Sequence, residues 1–143
     1  VSESKGKASV LRSLGAVVVG SVVGIVLSIA TDATMHASGI FPPLGKAMSD
    51  GLFGLALAYR VVYGVLGSYL IAWLSPDRQM RNALIGGVLG FVASTAGALV
   101  TWNKGPEFGP HWYPLALIVT TLPCAWLGGK LRLSQLPRVP AAS

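Results

Sequence analysis

Polar and apolar positions along this chain separate into four long apolar runs with short polar breaks. Ser13–Thr31, Asn82–Asn103 and Trp112–Gly129 contain no Asp, Glu, Lys or Arg, and Gly51–Pro76 contains only Arg60. A helix needs about 20 apolar residues to cross the ~30 Å hydrocarbon core of a bilayer, and each run is long enough. The pattern predicts an all-α membrane protein, a four-helix transmembrane bundle with spans at about 10–35, 51–74, 82–102 and 111–131. Residues 1–9 are expected to form a mobile polar tail, residues 10–132 the transmembrane domain and residues 133–143 a disordered tail containing Pro137 and Pro140. The first apolar run is longer than the ~7–15 residues of a signal-peptide core and is followed by a poor cleavage site, Thr31-Asp32-Ala33, so it reads as a retained span.

Composition agrees with that division. The chain has 143 residues, of which 52% are hydrophobic and 11% charged; soluble domains carry about 25% charged residues. The connections leave no room for a separate soluble domain. The net charge of +6 is distributed by side. With the N-terminus inside, Lys5, Lys7, Arg12, Arg78, Arg81, Lys130, Arg132 and Arg138 all face the cytoplasm, and only Lys46 and Lys104 lie outside. Positively charged loops stay inside, which predicts an N-in/C-in orientation and makes nucleic acid an unneeded explanation for the charge. Aromatic residues fall near both boundaries: Phe41, Phe53, Trp102, Phe108, Trp112 and Tyr113 outside, Tyr69, Trp73 and Trp126 inside.

The first and third runs resemble each other. Gly20–Ala30 aligns with Gly86–Ala96, with six of eleven positions identical. The second and fourth runs share weaker echoes, such as Leu66-Gly67-Ser68 with Leu127-Gly128-Gly129. Two hairpins entering from the same side make a parallel repeat, not the inverted repeat common in transporters. The shared motif places Gly20, Gly24 and Ser28, and likewise Gly86, Gly90 and Ser94, on one helix face. Small residues at this spacing permit close helix packing. The expectation is that the first and third spans face each other at the bundle centre; a homodimer seam is the alternative.

Candidate chemistry is sparse. Arg60 lies ten residues into the second span, about 10–15 Å below the outer boundary. An unpaired charge there costs at least ~2.5–3.5 kcal/mol, so it needs a partner. Asp32 is the natural partner, with Tyr63 one turn further in and Tyr59 adjacent. The resulting pair is either a structural lock or part of an anion- or headgroup-binding site. His36 lies one turn beyond Asp32, and His111 opens the fourth span. Asp32, His36, Arg60, Tyr63 and His111 form a candidate polar pocket near the outer surface. His36, His111, Asp32 and Glu107 also form a weak candidate zinc set. Bis-His haem fits poorly, because both imidazoles sit at the surface. The single Cys124 excludes an intrachain disulfide and dithiol chemistry. No carboxylate lies at mid-depth, which argues against a proton-coupled drug exporter. Pro123 predicts a kink in the fourth span, with Thr120 and Thr121 available to the backbone carbonyl it frees at Val119.

Phe41-Pro42-Pro43, Ala58-Tyr59-Arg60, Pro110-His111-Trp112-Tyr113-Pro114 and Leu122–Gly129 resemble strings in small bacterial inner-membrane proteins with four predicted spans and no established activity. The resemblance covers most of Leu11–Leu131. It implies a multi-pass protein of the bacterial cytoplasmic membrane and assigns no functional residue. The expected function is non-enzymatic and cofactor-free: an accessory or structural protein packing in a larger membrane complex or a homo-oligomer. The alternative is a small-molecule or lipid binding or transport module around Arg60. The expected partners are the lipid bilayer and other membrane subunits or further copies of the chain.

Overall fold

A computed structural model describes residues 1–138. Four helices account for the fold: α1 (Ser2–Ala37), α2 (Asp50–Leu74), α3 (Gln79–Thr101) and α4 (Trp112–Ser134), with a 3-10 turn at Pro106–Phe108. Each of the four is long and apolar enough to cross a membrane. Side chains such as Leu11, Val18, Val22 and Ile29 on α1 point away from the bundle, as lipid-facing positions must. The chain is a multi-pass, all-α four-helix bundle.

Two helices outrun the hydropathy. Residues 2–9, expected to be a mobile tail, are the first turns of α1. No proline stops the helix there, Glu3 pairs with Lys7 across one turn at 3.1 Å, and Ser9 donates to the Asp77 carboxylate at 3.4 Å. At the other end α4 continues to Ser134, beyond the expected limit at Leu131, and Tyr69 of α2 donates to Gln135 at 2.6 Å. The expected disorder at residues 139–143 lies outside the described residues.

Helix order around the bundle is α1, α2, α4, α3, with α2 and α4 running parallel at its centre. Their contact is close because Gly128 has no side chain: a Cβ there would stand 2.5 Å from the Val65 carbonyl oxygen and 2.7 Å from the Tyr69 nitrogen. Gly20 of α1 and Gly67 of α2 make the corresponding approach, where a Cβ at position 20 would lie 2.5 Å from the Gly67 carbonyl oxygen. Across α3 and α4, Gly87 faces Ala125, and Gly129 faces Ala83 and Met80.

The expected α1–α3 core is therefore corrected. Gly20 and Gly24 turn toward α2, and Gly86 meets Ile71, also on α2. Ile71, 2% exposed, fills the position that direct α1–α3 contact would require. The two hairpins run parallel but use their glycines differently. Gly20 rests on its own hairpin partner, whereas Gly86 rests on a side chain of the other hairpin.

The short connection between α2 and α3 is built around Asn82, the largest fully buried side chain. Its Nδ2 donates to Ser75 Oγ at 3.0 Å and to the Asp77 carbonyl at 3.3 Å, while Ser75 Oγ donates to the Ile71 carbonyl at 2.6 Å. Arg78 takes a left-handed conformation (φ 47°) to close the turn. Asn82→Ala should leave these buried groups unpaired and lower stability by about 1–3 kcal/mol, read as a lower melting temperature in detergent.

At the opposite end, two aromatics expected in the interfacial belt turn inward. Phe41 is 3% exposed beneath the His36 ring, and Phe53 is 6% exposed against Tyr113. Gly109 (φ 94°) permits the second long loop to cross Phe53, where a Cβ would lie 2.6 Å from the ring. Asp50 does not cap α2; Ser49 holds the cap position and Asp50 opens the first turn, where its charge complements the helix N-terminus.

Candidate functional site

Between α1 and α3 the bundle wall opens into a groove of about 400 Å³, with α2 and α4 as its floor. Gly20, Gly24 and Ser28 form one side; Gly86, Gly90 and Ser94 form the other. The two small-residue stripes, each packed on α2 at its Gly20 or Gly86 end, thus border a shared space instead of packing on each other. Ile71 lies at one end and Arg60 at the other. They are eleven residues apart on α2, so the groove is about 16 Å long. That is close to the ~15 Å depth of one leaflet's hydrocarbon.

The walls offer little polarity to a ligand. Ser28 donates to the Gly24 carbonyl at 2.9 Å, Thr120 to Ala116 at 2.9 Å and Thr121 to Ile118 at 2.7 Å. These hydroxyls are held by their own helices. Thr120 and Thr121 consequently do not serve the Val119 carbonyl freed by Pro123, as the sequence suggested. Cys124 borders the groove where α4 meets α2, with its thiol 3.7 Å from the Val61 carbonyl.

The polar end is a network between α1 and α2. Arg60 Nη2 pairs with Asp32 Oδ2, and the Tyr59 hydroxyl donates to Asp32 Oδ1. Tyr63 shares a 2.8 Å hydrogen bond with Thr31. Helical spacing explains the arrangement. Thr31 and Asp32 lie at the last turns of α1, and the antiparallel α2 presents Tyr59, Arg60 and Tyr63 at the same depth. The Arg60 and Asp32 side chains are 32% and 29% exposed. Arg60 Nε is buried and has no hydrogen-bond partner.

The structure brings Asp32, Arg60 and Tyr63 together and places both histidines elsewhere. His36 Nδ1 bonds the Pro42 carbonyl at 2.8 Å, which fixes the loop after α1. His111 stacks on Trp102 with centroids 4.0 Å apart, and its Nε2 bonds the Trp102 carbonyl at 3.0 Å. It borders a separate recess between the long loops, with Asp50 and Trp102. The candidate metal set of His36, His111, Asp32 and Glu107 does not assemble: among the described residues no three His, Cys, Asp or Glu side chains gather closely enough to hold an ion.

Sequence reasoning found the small-residue stripes and the Arg60 network but not the groove that joins them. Two parallel stripes of equal spacing were the available signal. Ile71 separates them, and nothing in the local pattern identifies it as a wedge. No protein-family model matches the chain, nor does any curated protein or solved structure.

Proposed function

We propose that this protein binds an amphiphile, with the apolar chain in the α1–α3 groove and the head at Arg60. The observation carrying this reading is the continuity of a leaflet-length apolar groove with a guanidinium at its end. Open space beside a hydrocarbon phase fills with hydrocarbon, and a volume near 400 Å³ lies within the range of small-molecule sites. The accessory-subunit reading rests on short loops, the lack of a soluble domain and small-residue seams; the groove bordered by both stripes favours binding over it. The charge distribution supports an orientation with both ends inside and Arg60 in the outer half, and the resemblance of its sequence strings supports placement in a bacterial cytoplasmic membrane.

Gly90→Leu tests the reading. A Cβ at position 90 meets only Thr121, at 3.6 Å, so the helix tolerates the substitution while the side chain fills the groove. Native mass spectrometry of gently purified protein should show a retained amphiphile on the wild type and its loss from the variant, with the melting temperature of delipidated protein little changed. Equal retention by both proteins would contradict the assignment.

A further inference from the structure

We infer that the head recognised at Arg60 is uncharged and accepts hydrogen bonds: a ketone or ester carbonyl on an apolar chain. This rests on the amphiphile reading and specifies its ligand. The polar end of the groove is already neutral. Arg60 and Asp32 cancel, and the neighbouring Tyr59, Tyr63 and Thr31 are neutral hydroxyl residues that hydrogen-bond within the network. Adding an anion would leave an uncompensated charge in apolar surroundings, which is strongly disfavoured. A cationic head fares no better, because it would leave an uncompensated positive charge beside a pair that is already neutral.

A guanidinium carries five N–H donors. Asp32 engages Nη2 of Arg60, Nε is buried beyond a ligand's reach, and no hydrogen bond among the described residues engages Nη1. Nη1 therefore supplies the spare donors at the groove's polar end. A carbonyl oxygen accepts from it without changing the net charge.

Three probes with the same chain length separate the possibilities: methyl oleate, oleate at alkaline pH where it is ionised, and octadecene. Binding is read as competitive displacement from delipidated protein in neutral detergent. Methyl oleate should bind about ten- to hundredfold more tightly than octadecene, the value of one hydrogen bond to a charged donor, and more tightly than oleate. Asp32→Asn leaves a net positive site and should reverse the order in favour of oleate. Should that variant fail to fold, Asp32→Leu/Arg60→Met, which strands no charge, should erase the advantage of methyl oleate over octadecene while keeping chain binding. Tighter binding of oleate than methyl oleate by the wild type would overturn the inference and leave the groove reading standing. So would equal binding of methyl oleate and octadecene. Failure of all three probes to bind would remove the amphiphile reading and this inference together.

Discussion

Gly128→Ala should unfold the bundle more readily than any comparable single-methyl change on the lipid-facing surface. The added Cβ would lie 2.5 Å from the Val65 carbonyl oxygen, 2.7 Å from Ser68 Cβ and 2.7 Å from the Tyr69 nitrogen. Two of those three are backbone atoms, so no rotamer change relieves the overlap and α2 must move from α4. Overpacking usually costs about 1–3 kcal/mol and more where backbone is displaced, so a loss near 3 kcal/mol is expected. Gly97→Ala is the control: a Cβ there meets nothing within 4 Å, and alanine favours a helix over glycine. Thermal or SDS titration of both variants should show Gly128→Ala strongly destabilised and Gly97→Ala unchanged or slightly improved.

Removing Asp32 should rank next. Arg60 sits within a helix long and apolar enough to cross a membrane, where a guanidinium gains little compensating hydration. Asp32→Ala strands that charge and removes the acceptor used by the Tyr59 hydroxyl. Breaking a buried pair by deleting one partner costs about 3–5 kcal/mol, and the partial exposure places this pair near the lower end. Asp32→Ala/Arg60→Ala removes the stranded charge as well and should be more stable than Asp32→Ala alone. If the double variant is no more stable, the pair does not lock α1 to α2.

The four spans and the Asp32–Arg60 pairing were readable in the sequence for one reason. Hydrocarbon penalises exposed charge, so the few charged residues fall at ends or find partners. Arg60 stood out against an uncharged run, and the antiparallel hairpin left Asp32 at the matching depth. Helix packing was less readable. The motif shared by Gly20–Ser28 and Gly86–Ser94 identified faces that allow close approach, but not what approaches them. That depended on Ile71, which looks like any other aliphatic residue in α2. Gly67 and Gly128 also meet backbone atoms of neighbouring helices closely and appeared in sequence only as faint echoes of the repeat. Asn82 was read as the start of a span, and its burial became evident only when the turn returned Ser75 and Asp77 to it. The histidines misled because spacing along α1 and position at the head of α4 say nothing of the carbonyls that engage them.

The central claim is that the space between α1 and α3 holds an acyl-type chain. Photocrosslinking with a monoacylglycerol carrying a diazirine in its chain, followed by peptide mapping, tests it most directly. The account predicts saturable adducts on groove residues such as Ser21, Gly24, Ala93 and Ser94, lost on competition with unlabelled lipid and absent from Gly90→Leu. Adducts spread evenly over outward-facing positions such as Val18, Val22, Leu99 and Val100, without saturation, would contradict it.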